Sequence, residues 1–214
     1  ASDIEPNCKK SYFANYEITE DRWCSDVHEL DAKPYRYKVD LLVGGAPCQA
    51  FSLVGKRRGF DDTRGTLFRE FARVVKECQP KVFIFENVRG MLNHNKGVTW
   101  DVIKKTFEDD LHYDIHFQVL NSRNYGIPQN RERLFCIGFR KRTEFYFPDV
   151  INLEYRMYDF LEDTIDSKYF LNDKGVKFVT SHKNREKRYT QINGEIALCQ
   201  KRNQEYNWHG DFVY

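Results

Sequence analysis

"KVDLLVGGAPCQAFS", residues 38–52, is a short apolar run that stops at two glycines and then presents Pro47 and Cys48. Nearly continuous apolar character over so few residues, closed by glycines, predicts a strand buried on both faces of a sheet. The stretch that follows, "GKRRGFDDTRG" at 55–65, is basic and rich in glycine. A cysteine hung from the end of such a strand is either a small hydrophobe or a nucleophile presented to something anionic.

The neighbouring segments decide the fold class. "TLFREFARVVKECQP" (66–80) spaces Leu67, Phe68, Phe71, Val74, Val75 and Cys78 as one helical face, with Pro80 as a stop. "KVFIFENV" (81–88) is a second buried strand. "VTWDVIKKTFEDDL" (98–111) predicts a helix with Val98, Val102, Ile103 and Phe107 inward. "YDIHFQVLNS" (113–122) alternates at Ile115, Phe117 and Val119, and "RLFCIGF" (133–139) is a further strand. Strands alternating with helices predict an α/β fold with a mainly parallel sheet. The last two strands are joined through "RNYGIPQNRE" (123–132) without a helix, which predicts antiparallel pairing at one edge. From about residue 166 the periodicity fades and polar, basic residues dominate, so 1–165 reads as one domain and 166–214 as the start of another.

Composition bounds the rest. The 214 residues suffice for one well-packed domain and part of a second. A net charge of +2 says nothing about a polyanionic partner, so local clustering must carry that case. Cys8, Cys24, Cys48, Cys78, Cys136 and Cys199 show no CxxC spacing, which excludes a zinc framework and a disulfide scaffold and suits a reducing cytosol. His28, His94, His112, His116, His182 and His209 have no metal-ligand spacing either, so no metal is expected. No run approaches transmembrane length and no signal peptide is recognisable, so no membrane partner is expected.

In open α/β sheets, ligands bind beyond the carboxyl ends of the strands. The first strand ends there in Gly44, Gly45, Pro47 and Cys48, and the second in Glu86 and Asn87. "PQNRER" (128–133) alternates Gln129, Arg131 and Arg133, which puts the two arginines on one face. Two guanidiniums there could orient a carboxyl or phosphate, or lower a thiol pKa.

The ordered blocks "GGAPCQAFS", "GFDDTRGTLF", "FENVRGML" and "LNSRNYGIPQNRERLFCIGF" resemble the central motifs of the DNA (cytosine-5) methyltransferases, especially the compact bacterial restriction–modification enzymes. The resemblance covers roughly residues 1–140. It implies a Rossmann-like, S-adenosylmethionine-dependent methyltransferase fold: a mixed sheet with helices on both faces, plus the start of a smaller target-recognition domain. It implies S-adenosylmethionine as methyl donor, double-stranded DNA as partner, and a cytoplasmic protein encoded by a bacterium or phage.

By the same resemblance, Cys48 is the nucleophile that adds to C6 of cytosine, with Pro47 fixing its approach, and Glu86 is the acid at N3. Arg131 and Arg133 contact the flipped base or orient Glu86. Asp3 of "SDIEP" would bind the cofactor ribose with Ile4 against the adenine, Asp26 of "CSDVHEL" lies near the adenine amino group, and Gly45, Pro47 and Leu67 complete that pocket. Pro47, Gln49, Ser52, Asn87 and Gln129 would meet the target nucleotide, Asn87 chiefly by holding backbone. Lys56, Arg57, Arg58 and Arg64 would contact phosphates from a closing loop, which positions the duplex without reading it. Cytosine must leave the duplex to reach Cys48, so base flipping is implied.

Taken singly these features are bland. The other five cysteines read as buried and inert, Glu86 as a strand-end carboxylate, and Arg131 with Arg133 as an exposed pair; only the combination with Cys48 points to chemistry. The basic stretch His182–Arg188 is either the opening of the recognition region or a solvated face. The family's F-x-G-x-G turn, R-x-x-x-R-x-x-x-F-P motif and Gly-Asn-Ser/Ala helix are not among these residues. The expectation is that both flanks of the cofactor site come from elsewhere, in cis or as a second polypeptide, and that residues 1–214 alone do not transfer methyl groups. A non-catalytic half-enzyme that binds DNA and needs a partner chain is the alternative, and a relative acting on RNA a lesser one. The intact Pro-Cys-Gln, Glu-Asn-Val and Gln-x-Arg-x-Arg sets favour the DNA enzyme.

Overall fold

The computed structural model describes residues 1–46, 67–199 and 208–214. They form two compact units, Ala1–Gln118 with Leu134–Phe145, and Val119–Arg133 with Tyr146–Tyr214. The composition change at residue 166 falls inside the second.

The first unit is built on the strands β1 (Leu41–Gly45) and β2 (Val82–Val88), the greater parts of β3 (Asp114–Asn121) and β4 (Glu132–Phe139), and the helices α1 (Pro6–Asn15), α2 (Leu67–Cys78) and α3 (Val98–Lys105). The sheet order is β1-β2-β4-β3, so the third and fourth strands are neighbours at one edge, beside the parallel pair β1 and β2. Leu41 stands opposite Val82, and Gly45 opposite Glu86. Strand, helix and parallel strand in succession give a mixed α/β sheet of the Rossmann-like kind.

The core is aromatic. Phe83 and Phe85 of β2 point at α2 and at the π-helical turn Thr106–Asp110 that continues α3. Phe83 and Phe107 have ring centroids 4.5 Å apart, Phe71 and Phe85 5.2 Å, and Phe68 and Phe85 5.7 Å. Each such pair contributes about 0.5–1.5 kcal/mol beyond the area it buries. Gly44 lets α2 approach, since a Cβ there would stand 3.0 Å from the Phe71 ring. Phe68, Phe71, Val74, Val75 and Cys78 are buried in the expected stripe.

Two expectations are corrected. β1 is not buried on both faces: Leu41 and Val43 are 52% and 62% exposed, because they alternate with Leu42 and Gly44, which pack towards α2, and so turn away from that helix. Val98 is also not inward. Gly97, in the left-handed region at φ 90°, starts α3 one residue before it, so Thr99, Trp100 and Ile103 form the buried face and Val98 is exposed.

The second unit holds α4 (Asp173–Thr180), α5 (His182–Glu186) and the parallel pair β5 (Thr190–Ile192) and β6 (Gly210–Phe212). Asn172 caps α4 by accepting from the Gly175 N–H at 3.0 Å, and Ser181 caps α5 by accepting from the Asn184 N–H at 3.3 Å. Among the described residues no helix is long and apolar enough to cross a membrane.

Candidate functional site

At the carboxyl ends of β1 and β2 the backbone register sets the chemistry. Gly45 pairs with Glu86, and a Cβ on Gly45 would lie 2.9 Å from the Glu86 carbonyl oxygen and 3.1 Å from its Oε2. The absent side chain is therefore the space beside which the carboxylate sits. One residue on, Asn87 is only 3% exposed. Its Nδ2 donates to the Ala46 carbonyl at 2.8 Å, and its Oδ1 accepts from the Val88 N–H at 2.8 Å. Both ends of the amide are spent on backbone, and they fix the last described residue before Pro47 and Cys48.

Pro47, Cys48, Gln49, Ser52, Lys56, Arg57, Arg58 and Arg64 lie outside the described residues. Leu67, the first residue of α2, is partly buried.

The N-terminal segments expected at a cofactor come together in the same unit. Ser2 forms a parallel bridge with Cys24, and the Cys24 N–H donates to the Ala1 carbonyl at 2.9 Å. Asp3, Ile4 and Asp26 thereby lie on adjacent strands of chain. Asp3 Oδ1 accepts from the Glu5 N–H at 2.9 Å, and Ile4 is 73% exposed, an apolar side chain open to a flat ring. Asp26 Oδ1 accepts from the His28 N–H at 2.9 Å; that bond, with the His28 ring beside it at 2.7 Å, holds the carboxyl below its usual range. A held carboxylate and an exposed apolar side chain are groups that could meet the ribose and base of a nucleoside.

Arg73 braces this arrangement. Its guanidinium donates to the Val27 and Leu30 carbonyls at 2.7 and 2.8 Å and pairs with Glu70 at 2.7 Å and Glu77 at 3.0 Å. Burial alone would lower its pKa, and the two carboxylates outweigh that and raise it. Glu77 also accepts from the Ala32 N–H at 3.1 Å. Helical spacing announces the Glu70 and Glu77 partners of Arg73, at i−3 and i+4, but not the two backbone carbonyls more than forty residues earlier.

In the second unit, Gln129, Arg131 and Arg133 follow a loop closed by Asn121. The Asn121 side chain accepts from the Arg123 and Arg131 N–H groups at 3.3 and 3.2 Å and donates to Asn130 Oδ1 at 2.7 Å. The Gln129 carbonyl accepts from Ser122 Oγ at 2.7 Å, and Gln129 bridges Ala197. Arg131 Nη1 and Arg133 Nη2 both reach Cys199 Sγ, at 3.7 and 4.0 Å, so the two guanidiniums share a face.

Cys199, expected to be buried and inert, is partly exposed and is where they meet. Cys24 is also partly exposed and Cys8 is exposed, which leaves Cys78 and Cys136 as the buried thiols among the described residues. The signal that could have found Cys199 was absent, since it lies 68 residues from Arg131 with no shared motif.

A family model described as "C-5 cytosine-specific DNA methylase" matches residues 1–212. The type II methyltransferase M.SsoII of Shigella sonnei is 39% identical over 178 residues, covering 81% of this chain and 46% of that protein. The orphan methyltransferase M.SPRI of Bacillus phage SPR is 38% identical over 203 residues, covering 80% of this chain and 46% of its own. The chain thus spans about half the length of the curated relatives it matches. In three dimensions it is similar to the Dnmt2 methyltransferase of S. pombe, with a TM-score of 0.73 and 21% identity over 100% of this chain and 67% of that one. At that identity the likeness concerns the fold.

Proposed function

The chain is a member of the C-5 cytosine-specific DNA methylase family, and on that footing we propose that it is the catalytic core of an enzyme that methylates C5 of cytosine in double-stranded DNA. The relatives' names describe type II and orphan methyltransferases of bacteria and phages, which supports a bacterial or phage cytoplasmic setting. The observation that carries the reading is the pair of ties at the strand ends. Glu86 stands opposite Gly45, and Asn87 holds the Ala46 carbonyl, from which the chain continues into Pro47 and Cys48.

The residue types then account for the chemistry. C5 of cytosine is a poor nucleophile. The Cys48 thiolate adds to C6, forming an S–C6 bond and turning C5 into an enamine carbon. Glu86 hydrogen-bonds or protonates N3, where negative charge collects. Bound S-adenosylmethionine supplies an electrophilic methyl carbon on a sulfonium. Asp3, Ile4 and Asp26 are the residues that would hold its adenosine half, with Gly45, Pro47 and Leu67 completing the pocket. A base then takes the C5 proton, the electron pair reforms the ring double bond, and Cys48 leaves as thiolate.

Arg131 and Arg133 contact the flipped base, and Gln129 shares that edge. Asn87 keeps the Cys48 end of β1 fixed. Gln49 and Ser52 meet the target nucleotide, while Lys56, Arg57, Arg58 and Arg64 engage phosphates. Residues 166–214 open the target-recognition region, and 1–165 form the methyltransferase core.

The test is a covalent trap. DNA with 5-fluorocytosine at the target keeps the Cys48–C6 bond, because fluorine cannot leave as a proton does. An adduct that resists denaturing electrophoresis is expected with S-adenosylmethionine present. Its persistence in Cys48→Ala would overturn the assignment.

A further inference from the structure

The segment Cys24–Leu30 fixes Asp26 in two stages, backbone first and side chain second. The Asp26 carbonyl accepts from the Cys24 thiol at 2.9 Å and from the Glu29 N–H at 3.0 Å. The Val27 and Leu30 carbonyls, which flank His28, are gripped by Arg73. With the main chain anchored at these points, the freedom left at Asp26 is rotation of its carboxylate. That terminal torsion is intrinsically broad and close to two-fold.

His28 removes it. Its backbone N–H and its ring Nδ1 both meet Asp26 Oδ1, at 2.9 and 2.7 Å. A carboxylate oxygen only accepts, so the ring nitrogen beside it carries the proton, in the imidazolium or in the Nδ1–H tautomer of the neutral ring. Both donors fall on Oδ1, and Oδ2 accepts from no described residue. The bonds and the charge that hold the Asp26 carboxyl low all come from His28, against an opposing effect of burial. The side chains of His28 and Asp26 are 49% and 38% exposed, so a ligand can reach them.

An exposed pair of this kind adds little to stability, and the 3-10 turn Val27–Glu29 needs only the His28 N–H on Asp26 as its cap. The ring contact is surplus to the fold. What it does is distinguish the two carboxylate oxygens, holding one and leaving the other to accept. A carboxylate oxygen accepts from the exocyclic amino group of adenine and repels the carbonyl oxygen that hypoxanthine carries on the same carbon. We propose that His28 is a positioning residue for the cofactor, which keeps Oδ2 of Asp26 as the acceptor for the adenine amino group and so sets the preference for adenine. The role rests on the reading of Asp26 as a residue that holds the adenosine half of S-adenosylmethionine.

Isothermal titration calorimetry of the purified protein with adenosine and with inosine tests it. Wild-type protein should bind adenosine about tenfold or more tightly than inosine. Asp26→Asn should turn the preference towards inosine, because an amide N–H would stand where Oδ2 was. His28→Ala should narrow the preference by about threefold to tenfold with the melting temperature unchanged, and His28→Asn should restore it, since its amide nitrogen can take the place of Nδ1. Equal affinity for the two nucleosides in wild type, or an Asp26→Asn variant that behaves as wild type, would overturn the cofactor reading of Asp26 and this role with it. An effect of Asp26→Asn without one of His28→Ala overturns the His28 role alone, as does failure of His28→Asn to do better than His28→Ala. Nitrogen-15 NMR of the ligand-free protein at pH 8 gives an independent readout: the His28 ring should be protonated at Nδ1, and the Nε2–H tautomer would overturn the contact.

Discussion

Gly45 and Glu86 face each other across β1 and β2, and the Glu86 Oε2 lies 3.1 Å from the point where a Cβ on Gly45 would stand. The carboxylate is positioned by the absence of a neighbour's side chain. That relation ties a stability measurement to a functional one.

Gly45→Ala should lower both. The new methyl would meet the Glu86 carbonyl at 2.9 Å, and backbone cannot step aside as a flexible side chain can. Overpacking of this kind costs about 1–3 kcal/mol, or roughly 2–4 °C in Tm per kcal/mol for a chain of this length. Calorimetric melting and a methyl-transfer assay on the same preparation check it. A variant with native Tm and native rate would show that the carboxylate does not depend on this gap.

Glu86→Gln keeps the shape and removes the acid. Methyl transfer should fall by about two to four orders of magnitude, as loss of a general acid does, with DNA affinity and Tm preserved. Single-turnover transfer of labelled methyl groups reads this directly. A near-normal rate would remove Glu86 from the chemistry.

Replacing Arg57, Arg58 and Arg64 together with Ala should weaken DNA binding and flatten its salt dependence, by roughly 0.9 in the log–log slope for each phosphate no longer neutralised. Preference for the target sequence should persist, because phosphate contacts carry none. Binding isotherms across a salt series are the measurement, and an unchanged slope would place these arginines in solvent.

Thiol reactivity should separate the cysteines. Burial pushes the Cys78 and Cys136 thiols up, which shrinks their reactive thiolate fraction at pH 8, and both side chains are covered as well. Cys8 is exposed. Brief alkylation at pH 8 followed by peptide mass spectrometry should therefore mark Cys8 and spare Cys78 and Cys136 until the protein is unfolded. Rapid labelling of native Cys136 would contradict the packing.

The parts of the fold legible in the sequence are those with strong periodicity. The α2 stripe and the β2 run read directly, and so does the placing of Glu86 and Asn87 at a strand end. α1 does not, because it buries no residue and so leaves no apolar stripe to read. α4 lies where composition turns polar, and its signals are short-range: the capping Asn172, Asp173 in the first turn and Lys177 in the last. At the candidate site, alternation puts Arg131 and Arg133 on one face. The long-range partners, Cys199 for those arginines and Val27 and Leu30 for Arg73, have no local pattern that could announce them.

The Arg73 brace also fixes an order of events when the chain is made. Residues 27–30 emerge first, yet the group that anchors them sits 46 and 43 positions later. Until α2 has formed on the nascent sheet, Asp26 and its neighbours have nothing to dock against, and closing so long a loop early carries an entropic cost without a return. Residues 27–32 are thus synthesised before α2 yet settle after it. Slow refolding should end with protection of the Val27–Ala32 amides.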